Sequence, residues 1–175
     1  MLPDSPPAWI FKLLLDEVLA VLKPVGYRRQ GSNFILREKD AIGLIGLQRS
    51  IFNSKSDVKF TANVGVMFEK CIEPWCNSVS VVKRPSAMYL HVNERLGFLM
   101  PEHCDRWWEI RADTNASDLV NDFVPKVSEY AVPFVQRHLK VEDVLDMLRR
   151  GHSPPGMNEH TREEFLVQFD PTGGE

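Results

Sequence analysis

Val58-Lys59-Phe60-Thr61-Ala62-Asn63-Val64-Gly65-Val66-Met67-Phe68 decides the fold. Apolar residues hold every even position, while Lys59, Thr61, Asn63, Gly65 and Met67 fill the odd ones. A strand turns successive side chains to opposite faces, so this period of two predicts a strand with one dry face and one wetter face. Upstream, Ile42 to Phe52 is a longer run with apolar residues on both faces, as expected of a central strand. Asn53-Ser54-Lys55-Ser56-Asp57 is a cluster of turn formers between the two. Asn33 to Arg37 reads as a short preceding strand, joined through the polar Glu38-Lys39-Asp40. Three strands with short polar connections predict an antiparallel meander.

Register follows from the same parity. Setting Ile51 opposite Val58 pairs Leu47 with Ala62 and Ile45 with Val64. Gln48 then meets Thr61, Gly46 meets Asn63 and Ser50 meets Lys59. A slip of one residue mixes the two classes, which a half-buried sheet disfavours. Arg49 is the misfit, because it falls opposite Phe60 on the dry face; a bulge or an edge position is expected there.

Helical spacing flanks this core. Ser5-Pro6 has the form of an N-cap and first helical position, and Ile10, Phe11, Leu14, Leu15, Val18, Leu19 and Leu22 recur on one stripe until Pro24 and Gly26. Such a stripe packs on its own sheet. Pro74-Trp75 breaks the pattern, Ser78 to Val82 reads as a strand or a covering loop, and Tyr89 to Asn93 as a fourth strand. Gly97 to Pro101 leads through a polar turn to a fifth strand at Trp107-Trp108-Glu109-Ile110. A cap at Thr114 or Asn115 opens a stripe of Leu119, Val120, Phe123, Val124, Val127 and Tyr130, kinked or broken at Pro125. Helical pieces follow from Pro133 to Leu139 and from Val141 to Arg150, the second ended by Gly151. The expected organisation is one α+β domain over residues 1–151, with a linker and docking tail over 152–175. Phe165, Leu166, Val167 and Phe169 form the docking cluster, and Pro171 to Glu175 fray.

The chain has 175 residues, enough to bury roughly 70% of its unfolded surface. Its net charge of -3 argues against a nucleic-acid partner, which calls for a basic excess. No apolar run approaches the ~20 residues that span a bilayer, and the N-terminus lacks the form of a secretory signal. Three cysteines are too few for a disulfide framework, so the cytoplasm is the expected compartment.

The motifs for chemistry are sparse. Cys71, Cys76, Cys104, His103 and His91 lack the paired Cys-x-x-Cys spacing of structural zinc sites, so no metal and no cofactor is expected. His103-Cys104-Asp105 has the residue types of a nucleophile relay, but adjacent side chains diverge and cannot bond one another. Asp57-Val58-Lys59 has the acidic-x-Lys form of some metal-dependent nucleases, a triplet common by chance. No phosphate loop, dinucleotide fingerprint or His-Glu-x-x-His occurs. Arg28-Arg29, Lys83-Arg84 and Arg149-Arg150 are short basic pairs at turns or helix ends, suited to solvent. Of Trp107 and Trp108, one ring points inward; the other anchors a binding patch or lies under the Phe165 cluster.

Gly26-Tyr27-Arg28-Arg29, Asn33-Phe34, Leu47-Gln48-Arg49-Ser50, Phe60-Thr61-Ala62-Asn63-Val64-Gly65, Arg95-Leu96-Gly97, Asp105 and Trp107-Trp108 form an ordered set. That set resembles the bacterial domain-of-unknown-function family 4304 (DUF4304), from the first helix to about Leu148. The resemblance implies an α+β domain and no known activity. Phe34, Gln48, Asn63, Gly65, Arg95, Gly97, Trp107 and Trp108 match the family's pattern. Where that pattern often carries a cysteine or histidine and further basic residues, this chain has Tyr89-Leu90-His91-Val92-Asn93, with His91 the nearest counterpart.

These readings converge on a sheet of about five antiparallel strands, with N-terminal and C-terminal helices mainly on one face. The other face carries Gln48, Ser50, Lys59, Thr61 and Asn63, bordered by Arg95 and one of Trp107 and Trp108. Amides, hydroxyls, an arginine and an aromatic suit recognition of a protein, a peptide or a polar small molecule. The expectation is a non-catalytic binding module, with an immunity-type protein as a special case. The alternative is a hydrolase or nuclease with its site near Arg95.

Overall fold

A computed structural model describes residues 6–72 and 78–170. The expected cap at Ser5, the break at Pro74-Trp75, Cys76 and the end from Pro171 lie outside the described residues. Helix α1 (Pro6–Leu22) runs into a short 3-10 turn (Lys23–Val25) and stops at Gly26, whose φ of 95° is left-handed. Its predicted stripe is the buried one, with Leu14, Val18 and Leu22 fully covered.

Strands β1 (Arg28–Gln30), β2 (Asn33–Arg37), β3 (Ala41–Arg49) and β4 (Asp57–Phe68) follow as an antiparallel meander. The predicted register between β3 and β4 is the observed one: Leu47 faces Ala62, Ile45 faces Val64 and Gln48 faces Thr61. Arg49 does face Phe60, and the ladder has no bulge there. β2 pairs β3 only as far as Gly46, so Arg49 sits where β3 has become an edge. Its guanidinium lies over the Phe11 ring at 5.6 Å, which lets a cation end a dry row.

β5 (Val92–Arg95) and β6 (Trp108–Arg111) lie end to end along the free side of β4, against Asn63–Val66 and Asp57–Phe60. The sheet thus has six strands. The additional one is β1, only three residues long, in a segment read from sequence as a turn. The fourth strand starts three residues later than predicted, because Ala87–Tyr89 is a 3-10 turn. α2 (Ser78–Lys83) replaces the strand or loop expected there, and α3 (Leu96–Leu99) is a single turn after β5.

α4 (Ala116–Lys126) is capped by Asn115, which accepts from the amides of Ser117 and Asp118. Pro125 neither breaks nor ends the run. A π-helical segment (Val127–Ala131) carries it into α5 (Val132–Leu139). α6 (Val141–Arg149) and α7 (Glu159–Phe169) are the last elements among the described residues.

The even residues of β4 and the odd residues of β3 form the main core with α1, α4, the π segment and α5. Phe60 sits at its centre, 5.5 Å from Phe11 and 5.3 Å from Phe123. The opposite face is divided. Near the start of β3, α2 and the Ala87–Tyr89 turn cover a small second core of Ile35, Ile42, Leu44 and Met67. Near the end of β3, no helix among the described residues covers Gln48, which is exposed, and the polar residues predicted for this face occur there. Phe165 of α7 is fully buried against Phe68, at 4.6 Å.

Candidate functional site

Strand pairing sets Asn33, Gly46, Asn63 and Arg95 side by side across four strands. The Asn63 side-chain amide donates to Gln48 Oε1 at 2.8 Å, so both amides share the uncovered face. Gln48 is exposed and Asn63 half-buried. At the edge, Arg95 Nη1 donates to Asp105 Oδ2 at 2.6 Å, and its guanidinium lies 5.4 Å from the centre of the Trp107 ring. Trp107 Nε1 donates to the same oxygen at 3.2 Å. Hydrogen bonding from Arg95 outweighs desolvation and, with a further bond from Trp107, holds the Asp105 carboxyl below its ordinary range. Asp105 is therefore an ion-pair partner, not a proton donor at neutral pH.

The loop bearing Asp105 is strapped down. A Cβ on Gly97 would collide with the Cys104 carbonyl and approach the Arg106 amide to 2.7 Å. Only glycine lets the loop come this close. Thr61 Oγ1 donates to the Arg106 carbonyl at 2.9 Å, in the gap between β5 and β6. Asp122 of α4 closes the strap from beneath, accepting from Trp108 Nε1 at 2.7 Å, Arg106 Nη2 at 3.1 Å and Lys126 Nζ. Burial works to raise the Asp122 carboxyl; the hydrogen bonds from Lys126 and Trp108 and the nearby cationic charges outweigh it, leaving it lowered.

The predicted residues therefore divide. Gln48, Asn63, Arg95 and Trp107 form one strip. Thr61 belongs to the same face but is fully buried beneath the strap. Trp108 is a core residue, stacked on Phe60 and edge-on to Phe123 at 4.8 Å. Neither tryptophan lies under the Phe165 cluster, which packs at the Phe68 end. Ser50 Oγ accepts the Phe52 amide at 3.2 Å and shapes the hairpin tip. Lys59 pairs with Glu109 at 2.6 Å, which raises its pKa and keeps it a cation. Its neighbour by sequence pattern, Asp57, has one carboxylate oxygen buried without a hydrogen-bond partner.

The catalytic alternatives gain little. His91 Nδ1 accepts the Phe68 amide at 2.9 Å, which puts the ring proton on Nε2, 3.1 Å from the Cys71 carbonyl. Both nitrogens serve to tie β4 to the Glu69–Cys71 turn. Desolvation pushes the Cys71 thiol up to about 12, so it carries no thiolate at neutral pH. Among the described residues, no group of three or more His, Cys, Asp or Glu is placed to hold a metal ion. No described helix is long and apolar enough to cross a membrane. Gln30 Nε2 donates to the Lys83 carbonyl at 3.1 Å, which brings the end of α2 to the β1 edge, while Arg29 pairs with Asp16 of α1.

Asp122 and Arg106 were not legible as site residues. Asp122 had one signal, a charge between apolar positions of a helical stripe, and nothing in that pattern says what it faces. The model of the family described as Domain of unknown function (DUF4304) matches residues 18–137. No curated protein matches the chain. No solved structure matches it.

Proposed function

The chain belongs to the DUF4304 family of domains of unknown function, and from that premise we propose that it is a non-catalytic recognition module for a protein partner. The polar strip of Gln48, Asn63, Arg95 and Trp107 is its contact surface. One observation carries this reading: the polar groups of the strip are held to one another by the Asn63–Gln48 bond and the Arg95–Asp105–Trp107 cluster, with Gln48 exposed and Asn63, Arg95 and Trp107 half-buried. Pre-fixed polar groups bind without the entropy cost of ordering them.

The hairpin tip favours a protein over a small molecule. Ile51 and Phe52, just beyond Gln48, are 88% and 90% exposed. An aromatic anchor beside a polar strip matches the anatomy of a protein interface. The strip is open to solvent on a sheet face, whereas small-molecule sites enclose most of their ligand. A toxin masked by an immunity-type protein is one such partner.

The test compares wild type, a Gln48→Ala/Asn63→Ala double variant and Phe52→Ser as immobilised baits. A partner should be retained by wild type and lost by both variants, with their circular dichroism and melting temperature unchanged. Equal retention by all three baits removes the strip and the tip from recognition.

A further inference from the structure

The helical run from Ala116 to Leu139 widens at Val127–Ala131, between Pro125 and Pro133. Pro133 has no N–H to offer the preceding turn, and a π segment absorbs that loss. Outside this turn opens a groove of about 730 Å³, walled by the π segment, α5, α6 and residues 152–155. That volume falls among small-molecule sites.

His138 is set into its wall, only 4% exposed. Its Nδ1 lies 2.8 Å from the Phe134 carbonyl, which can only accept, so Nδ1 carries the proton and Nε2 the lone pair. Nε2 has no partner among the described residues and is not a sealed, unsatisfied atom. His138 is one of the residues that line the groove. Desolvation lowers the ring's pKa against the Phe134 hydrogen bond, with Arg137 adding to the lowering, so the lone pair persists at neutral pH.

Arg137 and Arg150 line the same groove. Arg29, Arg95, Arg106, Arg111, Arg149 and Arg162 are ion-paired, whereas these two, like Arg28, Arg37, Arg49 and Arg84, have no carboxylate partner among the described residues. One acid, Glu129, also lines the wall; after desolvation, its proximity raises the pKa of the Tyr130 phenol. Phe134 and Met147 supply apolar surface. A guanidinium fork matches a carboxylate in geometry as well as charge.

We propose that this groove binds a carboxylic acid with an apolar body and an adjacent N–H or O–H donor. The carboxylate lies at Arg137 and Arg150, the body on Phe134 and Met147, and the donor meets His138 Nε2. A free N-acyl amino acid and the terminal residue of a peptide share this chemistry. The site is separate from the sheet strip, so neither reading depends on the other.

The test titrates the full chain with N-acetylphenylalanine, read by calorimetry and by the His138 imidazole signals in NMR. Saturable binding that shifts those signals is expected. N-acetylphenylalaninamide, and the acid against Arg137→Gln or Arg150→Gln, should each bind about tenfold more weakly. Both arginines are exposed, so the variants keep the fold. Tighter binding of a tetrapeptide ending in phenylalanine assigns the site to peptide ends; equal or weaker binding assigns it to the free acid. Absence of saturation at millimolar acid, an amide that binds as well as the acid, or unaffected arginine variants overturns the proposal.

Discussion

Asp122 shows how one residue holds the candidate surface in place. It accepts from Trp108, Arg106 and Lys126, so removing its charge weakens all three bonds and loosens the strap. Its folded pKa is depressed, so its contribution is full above the ordinary aspartate pKa of ~3.9 and lost as pH falls through the folded value. Asp122→Asn should lower stability at neutral pH by about 1–2 kcal/mol, a figure discounted for the partial exposure of the carboxylate. Urea unfolding at a series of pH values checks this: the gap to wild type should close in acid. Gly97→Ala acts on the same strap through backbone contact. It should cost about 1–3 kcal/mol and shift the amide resonances of residues 104–107 most. A substitution that leaves both quantities unchanged means the loop is held less closely than the Cβ geometry requires. Neither effect was legible in the sequence, where Asp122 is one acid among many and Gly97, though part of the family's pattern, carries no sign of what its backbone approaches.

Among the elements, the β3–β4 hairpin was read down to its register because both strands obey one parity rule and the residue classes can be matched in only one way. The short elements were not. α2 was read as a strand or loop because Ser78-Val79-Ser80-Val81-Val82 carries both strand alternation and β-branched residues. It is helical because the second face of the sheet presents Ile35, Ile42, Leu44 and Met67 to be covered, and Val81 fills that role. Arg37 and Asn33 then hold the end of this segment, donating to the Val82 and Pro85 carbonyls. α7 depends on a tertiary contact in the same way. Phe165 is fully buried between Phe68 and Phe169. Phe165→Ala should cost about 3–5 kcal/mol locally and release α7. Hydrogen exchange should show residues 159–169 losing protection ahead of the β3–β4 core. Uniform protection loss across the chain would instead place α7 within the global folding unit.

At the scale of the whole molecule, charge sets one further expectation. The end of α2, which carries Lys83-Arg84, lies against the β1 edge, but Arg29 is bound to Asp16 and the chain is net acidic. We expect no retention of duplex DNA or single-stranded RNA at ~150 mM salt, where exposed charges are screened beyond about 8 Å. Retention that falls steeply with added salt would make this edge a nucleic-acid surface. The sequence by itself determined the α+β class, the amphipathic helices and the segregation of polar and apolar residues on the central strands. These follow from periodicities of 2.0 and 3.6, which the backbone imposes locally. Only the tertiary structure decided which polar residues stay open. Thr61 is sealed beneath the strap, while Gln48 and Asn63 on the same face are not. Only the tertiary structure gathered Arg95, Asp105 and Trp107 into one cluster, and brought Arg150 to the groove that His138 and Arg137 line. Cover and convergence depend on how distant segments pack, and no local period encodes that.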